Sequence, residues 1–292
     1  MKVLVAGAKG QLGTDCMAVF ARNHSVSGLD LPELDICSRD SISRAIDRAC
    51  PDVVVNCAAF TRVDDCETQR EAARLVNAVG PGLLAAACRP ASLIHVSTDY
   101  VFSGERPAGE GWSEADDTGP LCWYGATKLE GEQRVRAAGG RWTIVRTAWL
   151  FGGSGRNFLL TMLRLSLRNS GQPLRVVADQ HGSPTWSHRL AEQIAVIAES
   201  GGCGVYHAAG EGMTTWYHLA GEFLKEMGVR HSIEPCGMKD YPLPARRPRN
   251  SAIDNRRLTA EGLNRMGHWR SHISGFAKAH RDTLLSAAGA HP

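Results

Sequence analysis

The sequence predicts an α/β fold: a doubly wound parallel sheet followed by a smaller second part. Three observations support this prediction. The 292 residues exceed the usual span of one compact core, apolar strands alternate with helical segments in the first half, and the alternation loosens after residues 152–155. Continuous apolar strands are typical of parallel sheets covered on both faces. We therefore expect a sheet domain over residues 1–150, with later segments returning to it, and a smaller domain mainly over residues 151–292.

Five short β-branched runs are the predicted strands, and longer segments between and after them are the predicted helices. The strands are residues 3–6, 25–29, 52–56, 92–96 and 142–145. The helices are residues 11–22, 39–50, 68–88, 124–138, 157–170, 187–200, 214–227 and 272–287. The tail from Ala287 is expected to fray.

Composition excludes several classes of protein. Hydrophobic residues at 43% and charged residues at 22% lie in the ordinary globular range, which argues against disorder. The nine cysteines form no C-x-x-C pair, so we expect reduced thiols and no structural zinc. A net charge of +3 is too small to indicate a nucleic-acid partner. The first apolar run turns at once into a glycine loop, unlike a secretion signal, so we expect a cytoplasmic protein without a membrane partner.

A glycine loop follows the first predicted strand and opens the first predicted helix. Gly7, Gly10 and Gly13 are spaced G-x-x-G-x-x-G, one residue wider at the first gap than the common dinucleotide fingerprint. Glycine permits a tight turn and a close backbone approach, and free amides at a helix start favour a phosphate. The loop therefore predicts an NAD(P)-binding, Rossmann-like domain, although an ordinary strand-to-helix turn remains the alternative.

Acidic residues follow the second predicted strand. Asp30 lies about 20 residues beyond the loop, where a carboxylate would bind the adenosine ribose and repel a 2′-phosphate. This favours NADH over NADPH, while a solvated strand-end aspartate and a phosphate held by Arg39 remain alternatives. Asp35 and Ile36 lie where an adenine edge is expected. The cofactor prediction is accordingly NADH or NADPH.

A phenol and an amine are predicted on one helix face. Tyr124 and Lys128 are four residues apart, and Thr98 ends the fourth predicted strand. Reduction of a ketone leaves an alkoxide that needs a proton donor within hydrogen-bond reach. An ammonium favours the anionic form of a nearby phenol, and the Thr98 hydroxyl could bind the substrate oxygen. A Y-x-x-x-K pair alone is common on exposed helices, but after a glycine loop and a Ser-Thr strand end it predicts a reductase.

These motifs resemble the extended short-chain dehydrogenase/reductase superfamily and, more closely, the dTDP-4-dehydrorhamnose reductase family. The resemblance covers nearly the whole chain and rests on five ordered blocks. The blocks are residues 56–64 with Glu67, residues 97–102, residues 146–152, residues 179–185 and residues 245–251. Two departures are small: Cys122 stands where the family often has Asn, and Phe60 where Tyr or His is common.

The resemblance implies roles for individual residues. Tyr124 is the expected proton donor, Lys128 its partner and ribose clamp, and Thr98 the hydroxyl that tunes the phenol. The residues expected to line the dinucleotide are Gly10, Gln11, Leu12, Asp35, Ile36, Ala58, Ala59, Phe60 and Thr61. The residues expected to face the sugar are Thr98, Asp99, Tyr124 and Trp149, although Trp149 could equally be a core residue.

The expected reaction is NADH- or NADPH-dependent reduction of the carbon-4 ketone of dTDP-4-dehydro-L-rhamnose to dTDP-L-rhamnose. One alternative is another 4-keto-6-deoxy sugar nucleotide reductase. The other is a non-catalytic regulatory subunit of the methionine adenosyltransferase beta type, which the presence of Thr98, Tyr124 and Lys128 argues against. The expected partner is a dTDP-sugar, and a homodimer is compatible with the sequence.

Two further groups leave alternatives open. Arg246, Arg247 and Arg249 lie in a proline-broken basic loop, which could neutralise a diphosphate or latch the two parts of the chain through acidic partners. His268 and His272 have the i, i+4 spacing of a metal pair, but without an acidic third ligand a solvated helix face is favoured. No metal enters the predicted mechanism.

Overall fold

The computed structural model describes residues 1–168, 172–230 and 232–288, and it confirms the α/β class. Its main sheet has six parallel strands in the order β10-β5-β4-β3-β1-β2. The strands are β1 (Lys2–Ala6), β2 (Ser25–Leu29), β3 (Val53–Asn56), β4 (Ser92–Thr98), β5 (Trp142–Thr147), β6 (Leu150–Phe151), β7 (Leu174–Val177), β8 (His181–Gly182), β9 (Thr185–Trp186), β10 (Gly204–His207), β11 (Thr214–Thr215) and β12 (Ile233–Cys236).

Helices cover both faces of the main sheet. They are α1 (Gln11–Phe20), α2 (Arg39–Ala49), α3 (Asp65–Thr68), α4 (Arg70–Arg74), α5 (Gly80–Ala87), α6 (Trp123–Ala138), α7 (Phe158–Arg168), α8 (Ser187–Ser200), α9 (Trp216–Glu226), α10 (Arg256–Ala260) and α11 (Trp269–Ala287). Side chains of α1 and α8 form one core against the sheet, and side chains of α2, α5 and α6 form the other. The continuous apolar strands are thus explained by burial on both faces.

All five predicted strands are present, and the main sheet contains one more. β10 pairs in parallel with β5, although it lies at residues 204–207. The sequence signal for it was weak because the strand is four residues long and begins with glycine. A late segment therefore joins the first sheet, while the division into domains at residue 150 stays a prediction.

The predicted helix over residues 68–88 is divided in the structure. It begins earlier, at Asp65, breaks at Gln69 and contains a π-helical turn over Leu75–Val79 before α5. Pro81 has no N–H to donate to the carbonyl four residues before it, which explains why regular α geometry is lost there.

The second part of the chain carries its own core and three pairs of short strands. β6 pairs with β9, β7 with β12 and β8 with β11. Its core joins α7, α9 and α11 through aromatic and aliphatic side chains. Helix α11 begins at Trp269, three residues before its predicted start. The predicted ends at residues 169–170 and 289–292 lie outside the described residues. Within the described ranges, no helix is long and apolar enough to span a membrane.

Candidate active site

The glycine loop forms a cradle at the start of α1. Gly7 has φ +76°, and a Cβ added there would lie 2.7 Å from the backbone nitrogen of Ala58. A Cβ added to Gly13 would lie 2.8 Å from Cα of Ala8. Gly10 is the N-cap of α1 and has no side chain to occupy the free amides of the first turn. The cradle therefore fits an anionic group such as a dinucleotide pyrophosphate.

Asp30 fastens the glycine loop to the end of β2. Its two carboxylate oxygens accept the backbone N–H groups of Lys9, at 3.0 Å, and Leu31, at 2.8 Å. Each oxygen keeps further acceptor capacity, so the carboxylate can still accept from a ribose hydroxyl. The Lys9 ammonium donates to the Leu31 carbonyl at 3.2 Å and lies 3.5 Å from Glu33. The loop and the acidic strand end thus form one unit.

Further residues predicted around the adenosine and pyrophosphate have local contacts of their own. The Asp35 carboxylate accepts the N–H of Cys37 at 2.9 Å, and the side chains of Ile36 and Leu12 are buried in the cores. The side-chain Oε1 of Gln11 accepts from the side-chain Nδ2 of Asn157 at 3.0 Å, which joins the glycine loop to the second part of the chain.

Asn77 holds the segment after β3 in place, and the sequence reasoning missed it. Its amide oxygen accepts the N–H of Phe60 at 2.8 Å, and its amide nitrogen donates to the Phe60 carbonyl at 3.0 Å. The same nitrogen donates to the Thr127 hydroxyl on α6 at 3.2 Å. Asn77 is fully buried in the π-helical turn, so it fixes the segment containing Ala58, Ala59, Phe60 and Thr61 against the helix that carries Tyr124 and Lys128.

Thr98 and Asp99 form the polar end of β4. The Thr98 hydroxyl donates to Asp99 Oδ1 at 2.9 Å and accepts the N–H of Tyr100 at 3.2 Å. Asp99 is buried, and its Oδ2 has no hydrogen-bond partner among the residues that the structure describes. Burial raises the pKa of Asp99 to about 6, while the neighbouring hydroxyls of Ser251 and Thr98 lower it. An unpartnered buried acceptor at a strand end is a group that a hydroxyl-bearing ligand could satisfy.

Tyr124 lies beside this strand end, in the first turn of α6. Its ring packs edge to face against Tyr100, with ring centroids 5.6 Å apart. Burial raises the pKa of the Tyr124 phenol above its ordinary value, a hydrogen bond with Thr98 lowers it, and the Asp99 charge raises it. The phenol is therefore protonated near neutral pH, which is the form a proton donor needs.

Lys128 is buried one turn further along α6. Its ammonium donates to the Val96 carbonyl at 2.7 Å and lies 3.5 Å from His95 Nε2. Burial lowers the pKa of Lys128 to about 8, although Glu132 and Cys57 raise it. Among the hydrogen bonds of the described residues, none joins this amine to the Tyr124 hydroxyl.

A chain of contacts connects Lys128 to the glycine loop. His95 Nδ1 lies 3.1 Å from the Asn56 amide nitrogen, and Asn56 Oδ1 accepts the N–H of Ala58 at 3.1 Å. Ala58 in turn approaches Gly7 so closely that only glycine fits there. The predicted cofactor loop and the predicted catalytic helix therefore meet at one edge of the sheet.

Trp149 follows β5 and lies in the core that joins α7, α9 and α11. Its indole stacks on Trp216 with ring centroids 3.6 Å apart, and its backbone has φ +43°. Within the described ranges, its buried Nε1 has no hydrogen-bond partner, and neither has Nε2 of Gln180. The Oε1 of Gln180 accepts the Trp216 indole N–H at 3.0 Å. A non-glycine residue with positive φ is strained, and such strain is concentrated at functional sites.

Different arginines of the basic loop fit the two alternatives that the sequence left open. Arg247 forms a salt bridge with Asp64 at 2.8 Å, which latches the loop to the segment after β3. Within the described part of the chain, Arg246 and Arg249 have no salt bridge. Both line a cavity of about 750 Å³, together with Arg247, Asp179 and His181. Two free guanidinium groups in one cavity can bind a diphosphate.

The expectation of a solvated face for His268 and His272 was wrong for the second residue. His272 is buried and contacts the backbone of Trp186 and Met266. His268 caps α11 by accepting the N–H of Arg270 at 3.2 Å. The two histidines therefore lie in different environments and do not share one solvated helix face. No group of three or more metal-ligating side chains occurs in the residues that the structure describes.

Comparison with known proteins gives consistent matches over the whole chain. The family model described as RmlD substrate binding domain matches residues 1–281. A dTDP-4-dehydrorhamnose reductase of Streptomyces griseus is 40% identical over 281 residues, covering 93% of this chain and 91% of the relative. A probable dTDP-4,6-dihydroxy-2-methyloxan-3-one 4-ketoreductase of Streptomyces antibioticus is 39% identical, covering 94% and 93%. The crystal structure of dTDP-4-dehydrorhamnose reductase from Bacillus anthracis in complex with NADP superposes with a TM-score of 0.91 at 32% identity, covering 96% of this chain and 100% of that one.

Proposed function

Because the chain belongs to the RmlD substrate binding domain family, we propose that it reduces the carbon-4 ketone of dTDP-4-dehydro-L-rhamnose to dTDP-L-rhamnose with NADH or NADPH. The observation that carries the proposal is the placement of Tyr124 and Lys128 on α6, next to Thr98 and within a short contact chain of the glycine loop. Relatives of similar identity carry the same reductase name, and the solved relative binds NADP.

The glycine cradle is where the dinucleotide would bind. The amides of Gly10, Gln11 and Leu12 would hold the pyrophosphate, because the N-cap has no side chain that competes for them. Asp30 would accept from the ribose, and Asp35 would lie at the adenine side. The bound reduced nicotinamide supplies the hydride. The chain's own task is to hold that ring, the ketone and the phenol in line.

Proton delivery falls to Tyr124. The phenol, whose ordinary pKa is about 10, is protonated near neutral pH, and burial raises that pKa further. When the substrate oxygen gains negative charge, the Tyr124 hydroxyl donates its proton to it, and the Thr98 hydroxyl hydrogen-bonds the same oxygen. The Lys128 ammonium stabilises the phenolate left behind. Asp99 Oδ2 is the free acceptor for a sugar hydroxyl.

The sugar nucleotide would extend from this point into the basic cavity. Arg246 and Arg249 would bind the diphosphate, while Arg247 keeps the loop closed through its salt bridge with Asp64. Trp149 would contact the sugar or base through the edge of its indole, since Trp216 covers one ring face.

We place the enzyme in the cytoplasm, where free thiols stay reduced. The nine cysteines are free in the structure. The homodimer that the sequence allows stays a prediction, which the mass from light scattering tests.

A panel of 4-keto sugar nucleotides tests the function. Oxidation of NADH or NADPH is followed by absorbance, and the product is identified by NMR. We expect dTDP-4-dehydro-L-rhamnose to react with the highest kcat/KM and to give dTDP-L-rhamnose. Preference for another 4-keto-6-deoxy sugar nucleotide, or formation of the epimer alone, would overturn the rhamnose assignment.

A further inference from the structure

Two fully buried polar side chains beneath the site have no part in the mechanism above. Asn56 ends β3 and His95 lies in the middle of β4, and neither is exposed to solvent. Asn56 follows three valines in β3, and His95 lies between Ile94 and Val96 in β4. A polar group buried among such neighbours is costly unless it is hydrogen-bonded. Their contacts run from the backbone of Ala58 to the amine of Lys128.

The direction of each hydrogen bond along this chain is determined by its first member. The N–H of Ala58 is necessarily a donor, so Asn56 Oδ1 is the acceptor and Asn56 Nδ2 faces His95. An amide nitrogen is only a donor, so His95 Nδ1 must accept from it at 3.1 Å. The proton of the neutral imidazole is then on Nε2, which faces Lys128 Nζ at 3.5 Å.

We propose that Asn56 and His95 form a positioning unit for Lys128, in which the imidazole presents an N–H, and not a lone pair, to the catalytic amine. A protonated Lys128 donates to the Val96 carbonyl but also faces the N–H of His95, which is a second donor. A neutral Lys128 amine can instead accept a hydrogen bond from that N–H. The unit therefore weakens the hold of Lys128 on its proton. This inference deepens the proposed function and rests on it for its catalytic consequence.

The charged and titratable groups around the amine are few. Glu132 on the same helix and Cys57 after β3 favour the ammonium, and burial opposes it, with the result that the pKa of Lys128 is lowered to about 8. Burial and the neighbouring Lys128 hold the pKa of His95 well below its ordinary value, so the imidazole stays neutral. A loosely held proton on Lys128 can reach the Tyr124 phenolate through intervening water after each turnover, and the amine then takes back a proton from solvent.

NMR of the wild-type protein with ¹⁵N-labelled histidine tests the polarity without any turnover. The two ring nitrogens distinguish the tautomers, and the signal that disappears in His95→Gln assigns the residue. We expect a neutral ring with the proton on Nε2 from about pH 6 to about pH 9. A proton on Nδ1, or an imidazolium in this range, would overturn the proposal. This result is independent of the substrate, so it separates failure of the positioning unit from failure of the proposed function.

The pH profile of kcat tests the consequence. His95→Leu removes the N–H, so the high-pH limb should move from about 8 upward by about one pH unit, and kcat near neutrality should fall about tenfold with KM nearly unchanged. In His95→Gln the side-chain oxygen can accept from Asn56 while its NH₂ faces Lys128, so the limb should stay near the wild-type position. His207→Gln is the matched control, since His207 is equally buried but lies on β10 with Nδ1 3.2 Å from the Trp112 carbonyl. A limb that stays in place in His95→Leu would contradict the proposal, because a merely structural role lowers the folded fraction without moving it.

Discussion

Glu132→Gln is the substitution from which we expect the largest loss of stability around the site. The Glu132 side chain is fully buried on α6 and accepts three close hydrogen bonds: from Ser97 at 2.6 Å and from Arg146 at 2.9 and 2.8 Å. Arg136 adds a longer contact at 3.3 Å. Arg146 is itself buried, and in the part of the chain that the structure describes its Nη1 has no hydrogen-bond partner. Glutamine keeps the shape but leaves the guanidinium charge of Arg146 uncompensated.

The magnitude follows from burial. Removing one partner of a buried ion pair costs about 3 to 5 kcal/mol, because the other charge remains out of water. For a chain of this size that corresponds to a fall in Tm of about 5 to 8 °C. Glu130→Gln is the matched control, since Glu130 is on the same helix and also pairs with two arginines, Arg74 and Arg134, each at 2.8 Å. Its side chain is 29% exposed, so we expect a fall of no more than about 2 °C.

Thermal unfolding of the two variants and the wild type, followed by circular dichroism in the same buffer, measures the difference. Added salt should reduce the fall in Tm caused by Glu130→Gln and leave the fall caused by Glu132→Gln nearly unchanged, because buried charges are screened less. Equal falls in Tm for the two variants would refute the reasoning that burial of the carboxylate decides the cost.

Three further predictions concern the cofactor and pH. Asp30→Ala should shift the NADPH/NADH ratio of kcat/KM toward NADPH, because the carboxylate that repels a 2′-phosphate is gone, and an unchanged ratio would show that Asp30 does not read the ribose. Gly13→Ala would place a Cβ against the carbonyl oxygen of Gly7 and 2.8 Å from Cα of Ala8, and it should raise the dinucleotide Kd by about tenfold or more, as measured by fluorescence titration; wild-type affinity would contradict the cradle. Burial lowers the pKa of His95, His207 and His272, that of His207 to about 3, so the unfolded chain binds protons that the folded chain excludes. The free energy of unfolding should therefore be highest above about pH 6.5 and fall as the pH drops toward 4. Urea unfolding curves that give a constant free energy over that range would contradict this prediction.

Local patterns in the sequence predicted the sheet and the placement of Tyr124 and Lys128 on one helix. The run Val53-Val54-Val55 is fully buried in the central strand β3, and Thr98 is the last residue of β4, as expected from the Ser-Thr strand end. Tyr124 and Lys128 lie on one helix because i, i+4 spacing is a property of the helix itself.

Contacts between distant segments had no such signal. Asn77, inside a helical run, is recognisable only through the backbone of Phe60 that it binds. The same holds for His95, whose partner Lys128 is 33 residues away. The stacking of Trp149 on Trp216 likewise depends on how the core of α7, α9 and α11 packs. In each case tertiary packing, and not local periodicity, decides the partner.

The central claim is that Tyr124 gives the proton to a ketone held beside the dinucleotide cradle. Turnover of dTDP-4-dehydro-L-rhamnose by Tyr124→Phe, measured together with dinucleotide affinity, tests it most directly. We predict a fall in kcat of about 2 to 4 orders of magnitude with the dinucleotide Kd nearly unchanged. A variant that turns over as fast as the wild type would contradict the assignment of Tyr124.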